Sequence, residues 1–125
     1  MVYIRLWHQD LISKLPRQQL LGQHRECCAL RGLGWGKSHN VVNYVFKYPM
    51  ELLENYHRLI MDEMENRGYN VEPLWKLRGY RGKKITNPMG VPIPKISTKI
   101  YNEHNSSYLR ECLENLKTKG ILLDV

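Results

Sequence analysis

The run Pro49-Met50-Glu51-Leu52-Leu53-Glu54-Asn55-Tyr56-His57-Arg58-Leu59-Ile60-Met61-Asp62-Glu63-Met64-Glu65-Asn66-Arg67-Gly68 decides the fold class. Leu52, Leu53, Tyr56, Leu59, Ile60 and Met64 recur at three- and four-residue spacing, the period of a helix with one apolar face. Proline suits the first turn, where an N–H would have no intrahelical partner, and Gly68 suits the C-terminal cap. Glu51 and Glu54 early in the run and Arg67 at its end complement the helix dipole.

Working outward, the same period appears upstream from about Pro16 to Arg31. Leu20, Leu21, His24, Cys27, Cys28 and Arg31 share a face, and Gly32 is the stop. Gly22, Arg25, Glu26 and Ala29 occupy another face. Their small members either leave open space beside the Arg-Glu pair or admit a neighbouring helix, and periodicity leaves both open. Asp10 is placed to cap a short turn before Pro16. Downstream, Ser107 to Lys119 reads as a helix burying Leu109, Cys112, Leu113 and Leu116 and stopping at Gly120. Between these lie a glycine-rich loop, Gly32 to Asn40, and a short apolar run, Val41 to Phe46, undecided between strand and helix. Arg78 to Thr98 is rich in Gly, Pro and Lys, and Pro88, Pro92 and Pro94 forbid a continuous helix. The expectation is an all-α chain, a single small domain over residues 1–125, with three main helices and long basic connecting loops. A small strand pair remains compatible with it.

Charge narrows the partners. The 125 residues carry 19 Lys and Arg against 12 Asp and Glu, a net charge of +7, which favours polyanions. Glu26 is the lone carboxylate between Asp10 and Glu51, among Lys14, Arg17, Arg25, Arg31, Lys37 and Lys47. Pro73 to Asn102 holds no acid, whereas Glu51, Glu54, Asp62, Glu63 and Glu65 cluster together. Segregated charge of this kind implies a basic face for nucleic acid. No run approaches the roughly 18 apolar residues of a membrane span. Three cysteines, two of them adjacent, argue against a disulfide framework and for a reduced, cytoplasmic setting.

Three local patterns invite sharper readings. Gly36-Lys37-Ser38 resembles the end of a phosphate-binding P-loop, but Arg31 stands where the first glycine belongs, and the run leaves a helix instead of entering one. Nucleotide hydrolysis is therefore excluded. His24, Cys27 and Cys28 have metal-ligand spacing, yet zinc commonly needs four ligands, and His8, His39 or His57 would have to complete the set. Buried core cysteines are the favoured reading, with no metal. Among the aromatics, Trp7, Tyr56 and Trp75 are assigned to packing, and Trp35 and Tyr80 stay open to a nucleic-acid role.

The run Leu20-Leu21-Gly22-Gln23-His24-Arg25-Glu26, with Leu52 to Tyr69 and its terminal Arg67-Gly68-Tyr69, resembles the pyrimidine-dimer DNA glycosylase family of the endonuclease V type. Arg5-Leu6-Trp7-His8-Gln9-Asp10-Leu11-Ile12 and Gln23-His24-Arg25-Glu26-Cys27-Cys28 are closer still to its bacterial branch. The resemblance covers Arg5 to Asn70 well and the remainder weakly. It implies an all-α, cofactor-free glycosylase and AP-lyase in which the N-terminal amine attacks the sugar C1′ of a damaged pyrimidine. An α-amine near pKa 7.7–8.0 keeps a usable neutral fraction where lysine does not. The family's Arg-Glu pair maps to Arg25, a phosphate and substrate clamp, and Glu26, which stabilises the cationic sugar and handles protons.

Departures accompany the match. The nucleophilic end falls near Arg5 in the family's register, so Met1 to Ile4 is an extension, and removal of Met1 exposes Val2. An arginine three residues after the glutamate and a histidine seven before it are here Ala29 and Gln19, and the family's aromatic-basic tail has no counterpart in Ile121 to Val125. The resulting expectation is a monomeric DNA-repair glycosylase/AP-lyase acting on damaged duplex DNA. Its catalytic residues are Glu26, Arg25 and Val2, and its phosphate contacts are Arg5, Arg17, Arg31 and Lys37. A non-catalytic nucleic-acid-binding protein on the same scaffold is the alternative, and a metal-dependent hydrolase using His24 and the cysteines a distant third.

Overall fold

The computed structural model describes residues 6–35, 44–82, 90–96 and 98–123. Three α-helices carry the architecture: α1 (Arg17–Arg31), α2 (Met50–Asn66) and α3 (Ser106–Thr118). Short 3-10 turns at Gln9–Lys14, Val45–Lys47 and Pro73–Lys76 join them. Among the described residues the extended pairing is one antiparallel bridge, Leu77 with Pro92. The all-α expectation holds, and the possible strand pair reduces to that bridge.

Each helix starts and stops for a local reason. Pro16 and Pro49 stand immediately before α1 and α2. The Asn105 side chain accepts the Tyr108 N–H at 2.9 Å and so caps α3. Gly68 and Gly120 sit at φ +85° and +80°, a left-handed conformation that opposes Cβ, and they end α2 and α3. The first 3-10 turn is capped by His8, whose Nδ1 accepts the Asp10 N–H at 3.0 Å. Asp10, expected as the cap, is inside the turn as its donor.

The core gathers Leu20, Cys27 and Leu30 of α1, Leu53, Tyr56, Ile60 and Met64 of α2, and Cys112 and Leu116 of α3. Leu11, Ile12 and Leu15 close it from the first turn. Each such side chain contributes about 1.5–3 kcal/mol by leaving water. Trp7 and Trp35 pack on the rim of this core, and Tyr56 lies within it. Tyr80, left open by sequence, is buried edge-on against Trp75 with ring centroids 4.8 Å apart.

The chain's early residues are held from three directions. Gln23 Oε1 on α1 accepts the Trp7 N–H at 2.6 Å, and the Tyr56 hydroxyl on α2 donates to the Trp7 carbonyl at 2.6 Å. The Tyr108 hydroxyl of α3 donates to the Leu6 carbonyl. His104 Nδ1 accepts the Gln9 N–H at 3.0 Å, so its proton lies on Nε2, facing the Tyr44 hydroxyl at 2.9 Å.

Candidate active site and nucleic-acid interface

Along α1, Gly22, Arg25, Glu26 and Ala29 line the side away from the core. Arg25 and Ala29 are exposed, and Glu26 is half-buried. Among the described residues no second helix covers Gly22: a Cβ there would meet the Arg25 Nη2 atom at 3.7 Å, an ordinary contact. The small residues therefore flank the Arg-Glu pair on an open surface. That resolves the ambiguity periodicity left.

The turn after α1 folds back onto this side. Gly34 N–H donates to the Ala29 carbonyl at 3.0 Å, and a Cβ on Gly34 would lie 2.8 Å from that oxygen. Only glycine fits so close an approach. Arg81 fastens the turn by donating from Nε to the Arg31 carbonyl at 2.7 Å and from Nη2 to the Gly32 carbonyl at 3.0 Å.

Arg17 is exposed, with its guanidinium over the Tyr69 ring at 5.4 Å. Val2, Arg5, Lys37 and the Gly36-Lys37-Ser38 run lie outside the described residues. Arg31 overturns its sequence reading as a phosphate contact, because it is fully buried. Nη1 donates to the Trp75 carbonyl at 2.7 Å and meets His57 Nδ1 at 3.0 Å. Nη2 donates to the carbonyls of Leu77 at 3.1 Å and Tyr80 at 2.9 Å. Glu54 Oε2 stands 3.7 Å away, and the guanidinium stacks on Trp75 at 5.1 Å. Arg31 is the hub around which residues 75–81 wrap, with no edge left for DNA.

Glu54, also buried, completes that hub by accepting from Arg78 Nη1 and from the Gly79 N–H, both at 2.9 Å. Three further acids of α2 are answered similarly. Asp62 pairs with Arg58 and Glu63 with Arg67 one helical turn away, and Glu65 pairs with Lys76. Two cations of the acid-free stretch, Lys76 and Arg78, thus neutralise α2 and are not offered to a polyanion. Among the described residues, Lys14, Arg17, Arg25, Lys47, Lys95 and Lys99 are exposed, as are Arg110, Lys117 and Lys119 at α3.

Sequence spacing suggested His24, Cys27 and Cys28 as a cluster; the structure assembles a different trio. Cys27 is buried in the core, whereas His24 and Cys28 meet His57 of α2. His24 Nδ1 lies 2.8 Å from His57 Nε2, and Cys28 Sγ lies 3.8 Å from His24 Nε2. Burial pushes the Cys28 thiol up to about 11, with Arg31 opposing. It is therefore a protonated thiol at neutral pH and a poor nucleophile.

A family model described as pyrimidine dimer DNA glycosylase matches residues 4–77, more than half of the chain and all of α1 and α2. The chain belongs to the pyrimidine dimer DNA glycosylase family. No curated protein and no solved structure matches it. Glycosylase family membership makes DNA the substrate class, consistent with the exposed arginines of α1. Among the described residues no helix is long and apolar enough to cross a membrane.

Proposed function

We propose that this glycosylase removes damaged pyrimidines from duplex DNA and cuts the resulting strand as an AP-lyase through an imine on its N-terminal amine. The observation that carries the reading is the double grip on Trp7. Gln23, which takes its N–H, sits three residues before Glu26 on α1. Side chains so spaced are about 5–6 Å apart at Cβ. Val2 precedes Leu6 by four peptide steps, which span at most about 14 Å. An amine on Val2 would be able to reach Glu26 from that anchor, which supports the reading.

In the proposed reaction the neutral α-amine, on Val2 once Met1 is removed, attacks C1′ of the damaged nucleotide. The base leaves with the electron pair of its glycosidic bond, and the sugar ring opens as the imine forms. Loss of a C2′ proton then expels the 3′ phosphate, and water releases the enzyme. The Glu26 carboxylate stabilises the developing sugar cation and carries protons between the amine, the ring oxygen and C2′. Arg25 and Arg17 hold phosphates, as do Arg5 and Lys37. Arg31 has no part in this.

Borohydride trapping on abasic-site duplex DNA tests the reading. The expected product is a one-to-one covalent adduct whose attachment maps to the N-terminal peptide. Protein that binds duplex DNA but yields no adduct would leave a DNA-binding scaffold without lyase chemistry.

A further inference from the structure

His24, Cys28 and His57 form the one group of three metal-type side chains among the described residues, with ligand atoms within 4.8 Å of one another. The spacing suits a cation, but the protons do not. A guanidinium offers only N–H groups. The two hydrogens on Arg31 Nη1 go to the Trp75 carbonyl and to His57 Nδ1. His57 Nδ1 must therefore accept, which leaves the ring proton on Nε2, 2.8 Å from His24 Nδ1. His24 Nδ1 accepts in turn, and its own proton lies on Nε2. A metal-ligating histidine needs the reverse, its far nitrogen donating to a carboxylate or carbonyl.

We propose that Arg31 and His57 form a two-step relay fixing His24 as a neutral Nε2–H donor for an acceptor atom on the lesion base. His57 is then a positioning residue. The inference rests on the glycosylase reading for its ligand, and on the hydrogen-bond chain alone for its tautomer.

Three observations support an available donor. His24 is half-buried, so a ligand can reach it, and it follows Gln23 and precedes Arg25 on the turn that carries the site. The contact found for its Nε2 is Cys28 Sγ at 3.8 Å, and a thiol sulfur is a weak acceptor that a carbonyl oxygen would displace. Burial and the facing charges both disfavour a proton charge on the ring. Burial, then Arg25 and Arg31, lower the His24 pKa; burial, then Arg31 and His24, lower that of His57. Glu54 lies on the far side of Arg31, and among the described residues the α2 and Trp75 faces add no other carboxylate to this group. A neutral donor discriminates among bases without adding to the nonspecific phosphate attraction that Arg17 and Arg25 supply.

Nitrogen-resolved NMR of the imidazoles tests the tautomer directly. Both rings should show Nε2–H and stay neutral at pH 6, where a free imidazole is mostly charged. An Nδ1–H signal on His24, its titration near 6.5, or stoichiometric zinc in the purified protein would each overturn the relay. His57→Gln keeps the logic, because its Oε1 can accept from Arg31 while its Nε2–H donates to His24. It should preserve the His24 signature and hold lesion-DNA affinity within about threefold. His24→Phe should weaken lesion-DNA binding about tenfold, the worth of one hydrogen bond, and leave undamaged duplex unaffected. Equal weakening of both DNAs, or none, would refute the base contact. If the parental protein failed to prefer lesion DNA, the glycosylase reading would fall and the base contact with it, while the NMR signature would still decide the tautomer.

Discussion

A single arginine on α1 can be a DNA contact or a keystone, and the difference is set by how its N–H groups are engaged. Arg25 projects to solvent, whereas Arg31 directs four N–H groups at three carbonyls and an imidazole. Arg31→Lys should therefore cost about 3–5 kcal/mol in urea unfolding, because an ammonium cannot serve two forks and leaves His57 and the carbonyls of residues 75, 77 and 80 short of donors. Arg25→Lys should leave the urea midpoint unchanged. Glu26→Gln keeps shape and removes charge. It should lose about 10²–10⁴-fold in the rate of abasic-site cleavage while DNA affinity holds or rises. A folded Glu26→Gln protein cleaving at the parental rate would refute the catalytic role of that carboxylate.

At the scale of elements, α1 is a helix whose outward side is kept low by Gly22 and Ala29 and whose end is closed by the Gly32–Trp35 turn. Two substitutions separate the roles of its glycines. Among the described residues Gly22→Ala meets nothing closer than 3.7 Å, so it should stabilise the protein by up to about 1 kcal/mol, the usual gain within a helix. Gly34→Ala forces a Cβ to 2.8 Å from the Ala29 carbonyl and should destabilise by about 1–3 kcal/mol, both read from thermal melts. The helices themselves were legible in sequence, since apolar spacing, prolines and terminal glycines mark α1, α2 and α3 to within a residue or so. Arg31 was misread because a linear pattern records charge and not the carbonyls of residues 75, 77 and 80 that converge on it. His24 and Cys28 were visible as an i, i+4 pair. Their third member, His57, stood among several histidines until α2 packed on α1.

For the whole molecule, charge and protonation give two measurable signatures. Six exposed cations engaging phosphate would give a log–log salt slope of about −5 for duplex binding. A slope near zero would remove DNA as the principal partner. Acid should unfold the protein early. His104 is pushed down to about 3, mainly by burial with His8 and Lys99 adding, and His24 and His57 are also lowered. Groups depressed in the folded state bind protons first in the unfolded chain. Their stabilisation is therefore present above pH 6.5 and declines as pH falls below it, for His104 down to about 3, by at most about 1.4 kcal/mol per pH unit for each group. Urea midpoints at pH 7.5 and 5 should show the decline, and His104→Gln should flatten it.

The grip on Leu6, Trp7 and Gln9 also dictates an order of events during synthesis. Their partners Gln23, Tyr56, His104 and Tyr108 leave the ribosome later, the last of them about a hundred residues after Leu6. The leading segment of the polypeptide is thus among the last to be seated. Such distant pairings are slow to form. A nascent or prematurely terminated chain, lacking Tyr108, would expose its α1 arginines to nucleic acid before Leu6 and Trp7 were fully held. In the proposed mechanism, the end that carries the amine is anchored only after α3 has been made.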